Sequence, residues 1–213
     1  MLQVECFTFN PFQENTYLII DEEKNCWIVD PGMYQQQEVD DLIGYIENNG
    51  LKPIAIINTH THIDHILGVT ALKQKYNIPF GIHISEQAIL DNAVGTAMLF
   101  GLQLSTAPKA DFYIDPEQGY KLNDKPLQVF FTPGHSPGSI SFYSADDNWV
   151  LSGDALFNGS IGRTDLPGGS FEVLINSINT HLLTLPDDTF VYSGHGPSTT
   201  VGREKQFNPF LQP

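Results

Sequence analysis

The segment Ile57–Gly68, INTHTHIDHILG, puts His60, His62, Asp64 and His65 within one short run. Imidazole and carboxylate are the usual ligands of zinc and iron. In an extended or tightly turned loop, positions 60 and 62 can point to one side while Asp64 and His65 face a second point a few ångström away. Downstream, His135 sits in TPGHSPGS, Asp154 in SGDALF and His195 in SGHGPS. These seven residues suffice for two cations: His60, His62 and His135 on one, Asp64, His65 and His195 on the other. Asp154, with two carboxylate oxygens, is the natural bridge. Cations roughly 3.5–4 Å apart can share a hydroxide, a nucleophile derived from a water of pKa about 7. No serine or cysteine nucleophile signature occurs. Asp64 and Asp154 are then the candidate catalytic carboxylates.

The surrounding pattern gives these residues a common placement. LQVECFTF, NTYLIID and CWIVD read as strands, with EKN as a hairpin turn between the last two. QEVDDLIGYIENNG carries Val39, Leu42, Ile43 and Ile46 at helical spacing and stops at Gly50. PIAIIN is a buried strand that runs straight into the histidine segment. A short helix ILGVTALKQKY, strand PFGIHI and helix SEQAILDNAVGTAMLF follow. Strands are expected near 127–131, 139–144 and 149–152, then a helix near 171–184 and a last strand TFVYS. Five of the seven histidines and two aspartates thus fall just past the ends of four strands, where a rigid scaffold displays chemistry. His83, inside a strand, and His181, on a helix, lie outside this set and read as structural. The order of elements predicts an α/β fold of sheets with helices outside.

The chain of 213 residues has a net charge of −15 with histidines neutral. Nucleic-acid binding rests on Lys/Arg neutralising phosphates, so that partner is excluded, leaving a small-molecule substrate. Arginine occurs only at 163 and 203. No apolar stretch is long enough to span a bilayer, and MLQVECFTFNPF lacks the basic start and apolar run of a secretory signal. A cytoplasmic protein is expected. Cys6 and Cys26, both in apolar strand-like runs, read as reduced buried thiols rather than a disulfide. Nothing in the sequence marks an oligomeric interface.

THTHIDHILG, TPGHSPGS, LSGDALF and YSGHGPSTT, with NPFQENTYLI and IVDPG before them, resemble the metallo-β-lactamase superfamily and, within it, the glyoxalase II (hydroxyacylglutathione hydrolase)-like branch. The resemblance runs through nearly the whole chain. It implies an αββα sandwich of two mixed sheets with helices on the outer faces, spanning 1–213 as a single domain. It also implies two divalent metal ions, zinc foremost with iron or manganese as substitutes, the ligand set above with Asp154 bridging, and Asp30 supporting the ligands from behind. Asp154 stands where many secreted β-lactamases carry a cysteine ligand, and His62 where flavodiiron proteins carry a glutamate. The implied reaction is hydrolysis of a small anionic thioester. Two departures are visible. The helical C-terminal domain of full-length hydroxyacylglutathione hydrolases has no counterpart after His195, so that only Arg203 and Lys205 in GREKQF match their glutathione-contacting stretch. Arg163, Thr164 and Asp165 resemble instead the mononuclear iron persulfide dioxygenases. Arg163 is a candidate for binding a substrate carboxylate through its fork or for holding its glycine-rich loop. Alternatives on the same scaffold are that dioxygenase, a lactonase, and a metal-binding module without catalysis.

Overall fold

The computed structural model describes residues 1–212. Two compact units are present: Met1–Ile114 with Leu122–Lys125, and Asp115–Lys121 with the chain from Pro126 onward.

The first unit is built on a mixed six-stranded sheet in sequential order, β1 (Gln3–Phe9), β2 (Glu14–Ile20), β3 (Asn25–Val29), β4 (Lys52–Ile57), β5 (Phe80–Ile82) and β6 (Phe112–Tyr113). The first three strands are antiparallel neighbours. β3 through β6 run parallel. The antiparallel start follows from tight turns: Asp21 accepts from the Glu23 and Asn25 amides at 2.8 Å each, and Lys24 takes a positive φ of 70°. The parallel part needs crossovers, supplied by α1 (Gln36–Asn48), α2 (Val69–Tyr76), and α3 (Gln87–Asp91) with α4 (Ala93–Leu99). α1 buries Val39, Leu42 and Ile46, the stripe its spacing predicts, while Ile43 is half-buried. Its first turn is fixed by Glu38, which accepts from the Gln35, Tyr34 and Asn10 amides at 2.9, 2.7 and 2.8 Å. Every residue of β2 is buried, and Leu18, Ile28, Leu42, Ile56, Leu72 and Phe80 anchor the core.

The second unit carries another mixed six-stranded sheet. Its strands are β7 (Tyr120–Leu122), β8 (Lys125–Phe131), β9 (Ile140–Ser144), β10 (Trp149–Gly153), β13 (Phe190–Ser193) and β14 (Thr199–Thr200), in the order β14-β13-β10-β9-β8-β7. A separate hairpin, β11 (Leu156–Phe157) with β12 (Ser160–Ile161), had no signal in the sequence. Helices α5 (Phe171–Ser177) and α6 (Val201–Phe207) contribute Leu174 and Val201 to a core with Val150, Leu156, Ile178 and Val191. The α/β class with two mixed sheets is as expected.

Four local expectations need correction. The helix expected over Ser85–Phe100 is a 3₁₀ turn (Ile84–Glu86) followed by α3 and α4, separated at Asn92, whose side chain bonds back to the Ala88 carbonyl at 2.8 Å. The helix near 171–184 is α5 continued by a wider π turn over Ile178–Leu182. His83 is not inside a strand: it follows β5 and caps the 3₁₀ turn through Nδ1, which accepts from the Ser85 amide at 3.3 Å. His181 stacks on Phe130 with ring centroids 5.6 Å apart. Both thiols are free, but Cys6 is exposed and only Cys26 is buried. β1 is an edge strand with much of its outer face in solvent, so an apolar run there does not imply burial.

Among the described residues no helix is long and apolar enough to cross a membrane. Burial pushes the Cys26 thiol up to about 12. Since the thiolate is the reactive form, iodoacetamide at pH 8.5 is expected to modify Cys6 alone in the native protein and both cysteines after denaturation. Mass spectrometry reads the result, and native labelling of Cys26 would contradict the burial.

Candidate metal centre

In the first unit, β4 ends at Ile57 and the chain turns through Asn58–Thr61 into a 3₁₀ turn, Ile63–His65. Asn58 closes this loop on itself. Its buried amide donates to the His60 carbonyl at 3.1 Å and the His65 carbonyl at 2.8 Å. Asp30, at the end of parallel neighbour β3, supports it from behind. Its Oδ1 accepts from the Thr59 amide at 2.7 Å, and its Oδ2 from the Thr59 hydroxyl at 2.6 Å and His65 Nδ1 at 3.1 Å. Thr59 Oγ1 also meets His60 Nδ1 at 3.0 Å. The rings gather accordingly: His60 lies 4.8 Å from His62 and 4.1 Å from His65, centroid to centroid. His65 Nε2 is 3.7 Å from Asp64 Oδ2. Asp30, His60 and His65 also come within 4.8 Å of one another as a group. Both Asp30 oxygens already accept hydrogen bonds, from Thr59 and from His65.

Two further side chains hold the loop, and neither was legible as functional. Glu86, fully buried, accepts from the Thr61 amide at 2.7 Å and its hydroxyl at 3.0 Å, so it grips the residue between His60 and His62. Asn10, in the β1–β2 turn, donates to the Asp64 carbonyl at 3.0 Å and the Gly32 carbonyl at 2.9 Å. Glu14 is also fully buried, its Oε1 3.8 Å from His65 Nδ1. Burial raises its carboxyl well above the usual range, with nearby Asp30 and Asp64 adding to the rise and His65 opposing it.

In the second unit the sheet topology does the gathering. β10 and β13 are parallel with Gly153 opposite Ser193, so Asp154 and His195 leave adjacent strands at the same edge. β9 is antiparallel to β10 and β8 antiparallel to β9. β8 therefore runs with β10, and the loop that carries His135 emerges at that same edge. Asp154 Oδ2 lies 3.5 Å from both His135 Nε2 and His195 Nε2. Two ligands on one tetrahedral cation, with bonds of about 2.1 Å, sit roughly 3.4 Å apart. The spacing fits the edge of a coordination polyhedron and is long for a direct hydrogen bond. His135 Nδ1 meets the Arg163 carbonyl at 2.8 Å. A carbonyl only accepts, so the proton is on Nδ1 and the nitrogen that would meet a cation is Nε2. Gly162 makes this approach possible: a Cβ there would lie 1.9 Å from the Asp154 carbonyl oxygen and 3.0 Å from His135 Nδ1.

The three basic residues of interest are less alike. The Arg163 guanidinium forks onto Asp165 at 2.7 Å twice, holding that carboxyl down at about 2. Lys205 binds Asp187 at 2.6 Å. Arg203 is exposed, with Nε 4.0 Å from Glu204 Oε1.

A sequence model described as the metallo-beta-lactamase superfamily matches residues 9–195. The hydroxyacylglutathione hydrolase GloC of Haemophilus influenzae is 38% identical, over 99% of this chain and 98% of its own. Among solved structures, BLEG-1, described as a B3 metallo-beta-lactamase, is 39% identical with a TM-score of 0.91, covering 99% of this chain and all of that one. TTHA1623, solved in a di-iron-bound form, is 38% identical with a TM-score of 0.87, covering 97% of this chain and all of that one.

Glu86→Ala strands the buried amide and hydroxyl of Thr61. Unfolding in urea is expected to show a loss of about 1–3 kcal/mol, with Glu86→Gln, which keeps an acceptor oxygen, losing less. Equal stability of Glu86→Ala and the parent would contradict the grip on Thr61.

Proposed function

This chain belongs to the metallo-β-lactamase superfamily, and on that premise we propose that it is a metal-dependent hydrolase of a small thioester, of the hydroxyacylglutathione hydrolase type. The observation that carries the reading is the placement of Asp154 Oδ2 at one coordination edge from each of two imidazole Nε2 atoms. The likeness to GloC supports the thioester. The likeness to a di-iron-bound protein supports a site for a cation pair and leaves iron beside zinc as its occupant. In this reading His60, His62, Asp64, His65, His135, Asp154 and His195 are the residues that would hold the cations.

When bound, the cations supply Lewis acidity toward the acyl oxygen and lower the pKa of a water to about 7. The chain's own groups do the remainder. Asn58, Asp30 and Glu86 fix the loop so that the imidazoles need not reorganise. The Asp64 or the Asp154 carboxylate orients the attacking water. The thiol departs as a thiolate without a dedicated acid, since its conjugate acid has a pKa of only about 8.5. Of the three basic candidates for a substrate carboxylate, Arg203 is the least engaged, its Nε 4.0 Å from Glu204 Oε1 against 2.7 Å from Arg163 to Asp165 and 2.6 Å from Lys205 to Asp187.

Two other reactions have specific support: opening of a β-lactam, from the likeness to BLEG-1, and oxidation of a persulfide, from the Arg163-Thr164-Asp165 run. A panel of S-lactoylglutathione, a simple lactone, a β-lactam and glutathione persulfide, with an oxygen electrode, separates them. The expected outcome is thioester cleavage without oxygen uptake, abolished by a chelator and by His60→Ala or Asp64→Ala. Oxygen consumption with the persulfide and no thioester cleavage, or full thioesterase activity in His60→Ala, would overturn the proposal.

A further inference from the structure

We propose that Thr59 is a positioning residue that fixes the tautomer of His60 by relaying its hydrogen bond with Asp30. The inference rests on the reading of His60 as a metal ligand, and it follows from counting protons. The Thr59 hydroxyl has one hydrogen. It lies 2.6 Å from Asp30 Oδ2 and 3.0 Å from His60 Nδ1. Asp30 is the acceptor for both the Thr59 amide and the Thr59 hydroxyl, so that hydrogen goes to Asp30. Towards His60 the hydroxyl then has only lone pairs, and Nδ1 must carry the imidazole proton. The basic lone pair of His60 is thereby placed on Nε2. Asp30 Oδ2 does the same directly for His65 through Nδ1 at 3.1 Å. One carboxylate orders two imidazoles, one by contact and one through Thr59. All the groups are buried, Asp30, Thr59, His60 and His65 each at 1% exposure or less, so water does not compete for these bonds.

The geometry also says what Asp30→Asn would do. The Thr59 amide donates to Oδ1 at 2.7 Å, which requires oxygen at that position and leaves the new NH₂ where Oδ2 stood. That NH₂ donates to the Thr59 hydroxyl. The hydroxyl must then turn its hydrogen to His60 Nδ1, and His60 switches its proton to Nε2, although Asp30 and His60 share no bond in this network. In a Thr59→Val background the hydroxyl is gone and the effect of Asp30→Asn on His60 should vanish.

The test uses the metal-free full chain, ¹⁵N-labelled at histidine, at pH 8, where an unperturbed imidazole is neutral. Long-range ¹H–¹⁵N spectra report the tautomer of each ring, with His60 assigned by its loss in His60→Gln. The parent and Thr59→Ser are expected to show His60 protonated at Nδ1, Asp30→Asn to show it at Nε2, and Thr59→Val to show a mixture that Asp30→Asn no longer changes. Zinc affinity, measured by competition with a chromophoric chelator, is expected to fall about 10–100-fold in Thr59→Val and to be kept in Thr59→Ser. A role in folding alone would lower the stability of Thr59→Val but leave the His60 tautomer as in the parent. That outcome, or an unchanged tautomer in Asp30→Asn, overturns the proposal. The tautomer is read without metal, so it decides this inference even if the parent takes up no zinc and the hydrolase reading fails.

Discussion

The buried carboxylate of Asp30 is the interaction on which the histidine loop depends. An isolated charge inside a protein is costly unless its lone pairs are met by donors, and Asp30 meets this with three: the Thr59 amide, the Thr59 hydroxyl and His65 Nδ1. These donors belong to the segment that follows β4, so the requirement to satisfy one charge pulls that segment into a single conformation. Asp30 itself sits at a φ of 51°, a region that aspartate enters more readily than most residues. The backbone strain is small beside three charge-assisted hydrogen bonds.

The second unit reaches the same kind of result by topology. Parallel pairing of β10 with β13, and two antiparallel steps to β8, bring three loop starts to one sheet edge, and the buried Glu204 carboxylate accepts from the Gly159 amide, the Thr199 hydroxyl and the Asn208 amide at 2.9, 2.6 and 2.8 Å. At His135 the backbone makes the fine adjustment: the Arg163 carbonyl sets the ring, and the missing side chain of Gly162 lets it approach. In the first unit the Asp30 carboxylate meets the Nδ1 of His65, and in the second the Arg163 carbonyl meets the Nδ1 of His135.

Much of this was legible in the sequence because it depends on local pattern. The strand before the histidine segment, the stripe of α1, and the placement of His60, His65, His135, Asp154 and His195 after strand ends are all set by period and by turn residues. Glu86 was not legible. An acid at the start of a helix looks like a solvated charge, and only packing against the loop 25 residues earlier makes it a buried acceptor. Gly162 reads as one more loop glycine until the Asp154 carbonyl is seen against it. Cys6 failed for the opposite reason: its neighbours are apolar, but its strand is at a sheet edge. Asn92 divided an apolar run that propensity alone would continue, since its amide offers the backbone a competing bond.

The proposed metal centre calls for a pair of cations. Titration of the metal-free chain with cobalt(II), followed by its visible absorption, tests it most directly, because nitrogen and oxygen ligands in a closed site give bands that aqueous cobalt lacks. The account predicts absorption that rises to two equivalents per chain and is lost above one equivalent in His195→Ala. Saturation at a single equivalent in the parent, or no absorption beyond that of free cobalt, would contradict it.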